Sequence, residues 1–171
     1  IDELADHGYA GMSVDSVAQR AGVGKASIYR RYQDKADLVT AAIAAQKRRG
    51  LAPTDLDTAR ESLVAILDRT RERMIDDGHI NTLIQILAES ERNPKLIELH
   101  RERTIAERRA EFESVVDFGV ERGELRADFD RDLVFEQCIG AWLSRYAVGN
   151  NFDDSWAEDV VALLWPAIAA R

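Results

Sequence analysis

The segment from residue 25 to residue 31 concentrates side chains that can bind phosphate and read the edges of bases. It contains Lys25, Ala26, Ser27, Tyr29, Arg30 and Arg31. Lysine and arginine neutralise phosphates, hydroxyl groups donate hydrogen bonds to phosphate oxygens, and the guanidinium fork of arginine matches guanine. Residues of these types, placed this close together, predict contacts to nucleic acid.

The sequence shows no pattern of residues typical of an active site. An enzyme needs a convergent set of acid, base, nucleophile or metal ligands. The only histidines are His7, His79 and His100. No glutamate is followed three residues later by histidine, as di-iron bundles require, and no glycine-rich phosphate loop occurs. We therefore expect no enzymatic activity, no bound metal and no cofactor.

Two short helices must position the basic segment. Ser13 can cap the first helix, Gly22 can take the left-handed conformation that ends it, and the second helix is predicted over residues 25–32. Val23 and Ile28 are expected to lock the second helix onto the first. Helices joined by such a tight turn are the geometry with which a protein places its second helix in the major groove of DNA.

Charge is distributed unevenly along the chain, whose net charge is −8. Residues 1–50 hold eight Lys and Arg against six Asp and Glu, whereas residues 51–171 hold fifteen against twenty-five. Affinity for DNA depends on the charge at the contact, so the acidic total does not oppose DNA binding. Gly50 and Pro53 interrupt the helical pattern. They predict a boundary between one domain of residues 1–49 and another of residues 50–171.

The rest of the chain has helical periodicity and no competing strand pattern. The predicted helices cover residues 56–75, 80–92, 94–122, 130–149 and 155–169. Ser155 and Glu158 have the spacing of a capping box for the last of them. The sequence therefore predicts an all-α fold, in which an N-terminal three-helix DNA-binding domain precedes a helical effector-binding and dimerisation domain.

Four stretches in the first 38 residues form a longer motif. They are His7-Gly8-Tyr9, Ser13-Val14-Asp15-Ser16-Val17-Ala18, Ala21-Gly22-Val23-Gly24-Lys25-Ala26-Ser27-Ile28-Tyr29 and Tyr32-Gln33-Asp34-Lys35-Ala36-Asp37-Leu38. This motif resembles the DNA-binding signature of the tetracycline-repressor (TetR) family of bacterial regulators. The resemblance implies a transcriptional repressor that binds a partly palindromic DNA operator as a homodimer and is released by a small-molecule effector.

Two positions depart from the family pattern. Ile1 falls inside the first helix of the family, so that helix is truncated here and we expect further residues upstream of it. Gly24 stands where the family often has a serine cap. The backbone amide remains at that position, so we expect a weaker helix start with the function retained.

The resemblance also implies roles for single residues. Lys25, Ala26 and Ser27 would open the recognition helix and reach base edges or adjacent phosphates. Tyr29, Arg30, Arg31 and Lys35 would contact phosphate, with guanine as a second target for the arginines, and Ser13 would touch the DNA backbone besides capping its helix. Tyr32 is expected in the core. The alternatives are that Tyr29 also packs in the core and that the arginine pair is only a solvated face.

The last two predicted helices carry apolar stripes broad enough for a four-helix interface between two copies of the chain. The stripes consist of Leu133, Val134, Cys138, Ala141 and Trp142, and of Ala157, Val160, Val161, Leu164 and Ile168. Gly140 would permit close approach. The alternative is that these stripes pack onto their own domain.

The resemblance implies an effector cavity among the middle helices. Its candidate wall residues are Met74, Ile84, Leu87, Phe112 and Trp142, and Arg108 would select an anion if it faced inward. At helical spacing, these apolar residues can equally be plain core.

Two other functions stay open. In one, the chain is an enzyme-like or ligand-carrying helical bundle whose basic segment merely packs or binds acidic protein; in the other, it is a helical scaffold for a protein partner. A single cysteine and apolar stretches too short to span a bilayer favour a protein of the bacterial cytoplasm with no membrane partner.

Overall fold

The computed structural model of the chain describes residues 1–45, 56–76, 79–149 and 151–170. Within these ranges the chain forms ten α-helices and two π-helical turns, and its one β-type pairing is an isolated bridge between Leu125 and Ala169. The α-helices are α1 (Asp2–Gly11), α2 (Val14–Ala21), α3 (Lys25–Tyr29), α4 (Lys35–Ala45), α5 (Ala59–Arg71), α6 (His79–Glu89), α7 (Pro94–His100), α8 (Ala106–Glu121), α9 (Arg131–Ala147) and α10 (Trp156–Ile168). The prediction of an all-α fold is confirmed.

The described residues fall into two compact units. The first unit joins residues 1–45 to residues 79–107. Within it, α1 packs against α6, and α4 packs against α7 and the π-helical turn Arg101–Ile105. Its main core consists of Leu4, Tyr9, Met12, Ala36, Val39, Ile86 and Leu96. The N-terminal helices are therefore held in place by burial against residues far along the chain.

Gly8 makes a sharp break inside α1. Its φ of 67° and ψ of 171° lie in a region that only glycine adopts without strain. Gly8 therefore divides α1 into two short helical stretches. One further helical turn follows, in which the Met12 N–H donates to the Gly8 carbonyl oxygen at 3.1 Å.

The second unit joins residues 56–76 to residues 108–170. In it, α10 packs against α5, which continues into the π-helical turn Glu72–Asp76. Gly119 on α8 allows a close approach, because a Cβ atom there would lie 2.7 Å from the Cβ of Ala59 and from Cδ1 of Leu125. The end of α10 is tied to the loop after α8, where the Arg126 N–H donates to the Ile168 carbonyl at 2.9 Å.

The predicted helix boundaries agree with the structure to within a few residues, with local corrections. The predicted helix over residues 94–122 contains the π-helical turn Arg101–Ile105 between α7 and α8. The capping box at Ser155 was wrong, because its hydroxyl makes no cap and donates to Asp159 Oδ2 at 3.1 Å. The predicted boundary between residues 49 and 50 lies outside the described residues.

Candidate nucleic-acid interface

The geometry of α2 and of the turn after it follows from two residues. The Ser13 hydroxyl accepts a hydrogen bond from the Ser16 N–H at 3.0 Å, and the Ser16 hydroxyl receives the Ser13 N–H at 3.1 Å, which makes a reciprocal cap. Gly22 ends the helix with φ 66° and ψ 27°, and the Val23 N–H donates to the Ala18 carbonyl at 3.0 Å. The predicted cap and turn are confirmed.

A small apolar cluster docks α3 onto α2. Ile28 is buried with Val14 and Ala18, and the cluster is flanked by the half-buried side chains of Val17, Tyr32 and Leu38. Tyr32 therefore lies against the core, as predicted. The role predicted for Val23 was wrong, because its side chain is 47% exposed. Of the two residues predicted to hold α3 against α2, only Ile28 does so.

The opposite side of α3 faces away from this cluster. Lys25, Ala26, Tyr29, Arg30 and Arg31 are exposed, and Ser27 is half-buried. The helix ends at Tyr29, earlier than predicted, so Arg30 and Arg31 lie in the turn that follows it. Gly24 gives α3 no side-chain cap, as expected from its departure from the family pattern. The structure thus leaves five of the six predicted DNA-contacting residues of this segment exposed, and three of these five are cationic.

Lys25 is held at the start of α3 by an acidic partner on α2. Its Nζ lies 2.6 Å from Asp15 Oδ1 and 5.8 Å from the ring centroid of Tyr29. The hydrogen bond to Asp15 raises the pKa of the Lys25 ammonium. The ammonium therefore stays charged and is pre-positioned, at an exposed pair that a phosphate or base acceptor can compete for.

Lys35 has partners within its own chain. Its Nζ donates to the Met12 carbonyl oxygen at 2.8 Å and lies 4.4 Å from the ring centroid of Tyr9. Burial lowers the pKa of this ammonium below its ordinary value. Because an ammonium has three donors, Lys35 can bridge α1 to α4 and still keep donors for a phosphate, a role that stays a prediction.

The start of α4, which directly follows the basic segment, is fixed by a network that sequence reasoning missed in part. Asp34 caps this helix, since its Oδ1 accepts from the Asp37 N–H at 2.9 Å. Asp37 Oδ2 in turn accepts from the Gln33 N–H at 2.7 Å. Lys95 on α7 and Arg103 on the π-helical turn after it join this cap. Lys95 Nζ lies 2.6 Å from Asp34 Oδ2, and Arg103 Nη2 lies 2.5 Å from Asp37 Oδ1.

Arg103 is the central residue of this network. It sits on the π-helical turn, and its Nη1 also donates to the Asp37 carbonyl oxygen and to Oγ1 of the fully buried Thr40, at 2.9 Å each. The pKa of the Asp37 carboxyl is held low by the Gln33 N–H and by Arg103. The pKa of Asp34 is held low by Lys95 and by the Asp37 N–H. No local pattern linked residues 34–40 to residues 95–103.

The second unit contains a pocket with about 450 Å³ of empty space, a volume that includes open solvent. It is lined by Leu63, Ile66, Leu67, Thr70, Arg108, Glu111, Phe112, Phe135, Cys138, Ile139 and Trp142. Three of the predicted effector residues, Arg108, Phe112 and Trp142, are among them. Met74 is buried outside this lining, and Ile84 and Leu87 lie exposed on α6. The wall residues on α5, together with Phe135 and Ile139, were missed because their spacing alone does not distinguish a cavity from a filled core.

The predicted dimer residues divide by exposure. Val134, Trp142, Val161 and Ile168 are buried within the chain, which leaves them no surface for a partner. Cys138, Ala141, Val160 and Leu164 are half-buried, and Leu133 is 51% exposed. Cys138 instead lines the pocket, where burial raises the pKa of its thiol to about 11.

Sequence reasoning missed the exposure of Leu163, which has 81% of its surface accessible. It belongs to an outer strip of α10, which consists of Ala162, Leu163, Pro166 and Ala167, all exposed. The signal was present in the sequence as a second apolar face of α10. On α9, Gly140 is also exposed, and a Cβ atom there would meet nothing within 4 Å.

Two known family profiles match the chain. The profile described as "Bacterial regulatory proteins, tetR family" matches residues 1–42, and the profile described as "Tetracyclin repressor-like, C-terminal domain" matches residues 53–164. The two matches cover most of the chain in the order that the fold shows. The chain belongs to the TetR family of helix-turn-helix transcriptional regulators and is a DNA-binding regulator.

Individual relatives agree with this assignment. An uncharacterised HTH-type transcriptional regulator of Mycobacterium tuberculosis is 29% identical over 86% of this chain and 72% of its own length. The DNA-binding transcriptional repressor TetR of Mycobacteroides abscessus is 28% identical over 94% of this chain and 87% of its own length. The fold is similar to that of the regulator FadR from Bacillus subtilis in complex with stearoyl-CoA, with a TM-score of 0.72, 18% identity and coverage of 96% and 92%.

No helix within the described ranges is long and apolar enough to cross a membrane.

Proposed function

We propose that this chain is a homodimeric transcriptional repressor of the bacterial cytoplasm, where the chromosome lies, and that α3 enters the major groove of a partly palindromic operator. The observation that carries the proposal is the exposed cationic side of α3, backed by a helix lock through buried Ile28. In this proposal, residues 1–49 form the DNA-binding domain and residues 50–171 the effector-binding and dimerisation domain. Residues 79–107 buttress the first of these.

The contacts divide into two kinds. Lys25, Ala26 and Ser27 lie at the N-terminal end of α3, the part of a recognition helix that reaches base edges. Tyr29, Arg30, Arg31 and Lys35 serve mainly the phosphates and set the register on the duplex. Ser13, exposed at the start of α2, adds a backbone contact.

Dimerisation is expected because one helix-turn-helix reading head alone offers too little contact with DNA for tight binding. A single helix-turn-helix makes few contacts, and two heads bind half-sites about one helical turn, roughly 34 Å, apart. We place the dimer interface on the outer strip of α10 and on the neighbouring exposed face of α9 around Leu133 and Gly140. Leu163 would be the central apolar contact of this interface, because the buried centre of a dimer interface is apolar and Leu163 is largely exposed in the single chain.

The pocket of the second unit is the site we propose for a small-molecule effector. Phe112, Phe135 and Trp142 give it an aromatic wall, and ligand sites are typically concave and mostly apolar. The complex of the Bacillus subtilis FadR with stearoyl-CoA is consistent with an acyl or other apolar effector in this fold. Effector binding would lower operator affinity only if the ligand binds the DNA-free conformation more tightly.

Selection of operator DNA tests the proposal. The chain would be incubated with random-sequence duplexes, and bound fragments would be enriched over several rounds. The expected result is an inverted repeat. The matched control carries K25A, R30A and R31A together, which leaves Ile28 and the fold in place and should enrich no sequence. Failure of the wild-type chain to enrich any sequence would contradict the proposal and favour a helical bundle that does not read DNA.

A further inference from the structure

The wall of the pocket in the second unit is mostly apolar. Leu63, Leu67, Phe112 and Phe135 are all buried apolar side chains, and the two phenyl rings lie with centroids 5.5 Å apart. A ligand in this pocket therefore has a predominantly apolar body, because an apolar wall cannot replace the water that a polar body would lose.

The charged groups of the wall have partners of their own. Glu111 forms an ion pair with Arg69, and Arg108 also interacts within the chain. The Cys138 thiol is neutral at physiological pH, because burial raises its pKa to about 11. The wall therefore offers no net charge that would favour a strongly ionic ligand.

Among the uncharged polar groups of the wall, one donor is unused. The Thr70 hydroxyl donates to the Ile66 carbonyl at 2.8 Å. The indole Nε1–H of Trp142 finds no acceptor among the residues that the structure describes, and the side chain is only 1% exposed. A buried donor without an acceptor is costly, and most such groups in folded proteins are satisfied by some partner.

We propose that the pocket binds a small, uncharged, mainly apolar molecule that carries one hydrogen-bond acceptor, such as a carbonyl or ether oxygen, and that this acceptor takes the Trp142 Nε1–H. Trp142 then selects among apolar molecules of the same shape, since only those with an acceptor satisfy the donor. The inference rests on the proposed effector role of this pocket and adds its ligand class.

A matched pair of probes tests the inference. Acetophenone and cumene share a heavy-atom skeleton and differ in a carbonyl oxygen in place of a methyl group. Their affinities for the full chain would be measured by NMR titration of wild type, W142F and W156F. Trp156 is equally buried but lies outside the pocket lining, so W156F controls for the loss of an indole elsewhere.

The expected result is a coupling between probe and variant. The ratio of acetophenone affinity to cumene affinity should fall about fivefold in W142F and stay unchanged in W156F, because a net hydrogen bond is worth about 1 kcal/mol. In the wild-type chain, acetophenone should move the indole N–H resonance of Trp142 and cumene should move it much less. This second readout serves even if W142F does not fold.

Three outcomes would overturn the inference: an affinity ratio that W142F leaves within twofold of wild type, equal responses of the Trp142 resonance to both probes, or no binding of either probe up to its solubility. None of them affects operator selection, which tests the regulator itself. A failed inference and a failed function are therefore distinguishable.

Discussion

Ile28 is the one side chain of α3 that is buried, and this single anchor explains why the rest of the helix is available for recognition. Residue types were enough to predict which side chains of α3 are exposed, because lysine and arginine avoid burial and Ile28 is the only large aliphatic residue in that helix. What residue types could not show was the partner of each cation. Lys25 pairs with Asp15, and Lys35 reaches a backbone carbonyl that its spacing did not indicate.

Two tyrosines three residues apart have opposite roles. Tyr29 is 47% exposed, whereas Tyr32 packs against the cluster of Ile28. We expect Y29F to weaken operator binding roughly 30-fold, since each protomer of the dimer loses one phosphate hydrogen bond worth about 1 kcal/mol. The measurement is fluorescence anisotropy with the selected operator.

Y32F is the matched control, because it removes a hydroxyl of the same kind from the packed position. It should leave operator affinity within about twofold of wild type. Equal losses in the two variants would mean that neither hydroxyl has a specific place at the phosphate backbone.

The first turn of α4 is the element that joins the basic segment to the rest of its unit. Asp34 and Asp37 cap it, and Lys95 and Arg103 hold the cap from a segment more than 50 residues away. The π-helical turn that carries Arg103 is a local departure from α-helix, and such turns are frequent at functional sites. We infer that Arg103 is a positioning residue for the DNA-reading helices.

Replacement of Arg103 should loosen this element. We expect R103M to lower the free energy of unfolding by about 1–2 kcal/mol at neutral pH, because it removes the donors to Asp37 Oδ1 and to the buried Thr40 hydroxyl. R101M, at an exposed position on the same turn, should change stability little. Urea unfolding of both variants measures the difference.

The pH dependence of that difference has a definite sign. The pKa of Asp37 is lowered in the folded chain by Gln33 and Arg103, so its carboxylate adds stability above its unfolded pKa of about 3.9, which is lost as pH falls through the folded value. R103M raises the folded pKa toward the unfolded one. The gap between wild type and R103M should therefore shrink in acid, and a gap that widens there would contradict the assignment.

Among the helices and turns, the sequence predicted the features that depend on residues close together in the chain. Helix positions, the Ser13 cap and the Gly22 turn follow from neighbours a few residues apart. The Ser155 box failed because the same hydroxyl had a competing acidic acceptor in Asp159. The π-helical turns and the Lys95 and Arg103 contacts depend on packing between distant segments, which no local pattern records.

For the whole molecule, apolar periodicity identified the faces of α9 and α10 that fill the core, and not the faces left outside. Val161 and Ile168 are each 1% exposed, whereas Leu163 between them in sequence is 81% exposed. A helix apolar on both sides has one face for its own domain and one for a partner. Both apolar faces of α10 can be read from the sequence, but only burial in the folded chain shows which of them stays outside.

A charge at Leu163 should separate the protomers. We expect L163E to be monomeric in analytical ultracentrifugation, with an unchanged helical circular dichroism spectrum, because Leu163 is exposed in the single chain and a glutamate there would have to be buried in the dimer. Operator affinity should fall at least tenfold with the loss of the second reading head. V148E, at another exposed apolar position, should remain dimeric, and a dimeric L163E would place the interface elsewhere.

The salt dependence of operator binding tests the central claim, that the exposed cations of α3 and of the turn after it contact DNA phosphates in both protomers. Affinity for the selected operator would be measured from low to high salt for wild type, R31Q and R60Q. Arg60 is an exposed arginine on α5, outside the proposed interface. The slope of log affinity against log salt falls by about 0.9 for each phosphate that the protein no longer neutralises. We predict a steep wild-type slope, reduced by about two in R31Q and unchanged in R60Q. A flat wild-type slope, or equal slopes for R31Q and R60Q, would contradict it.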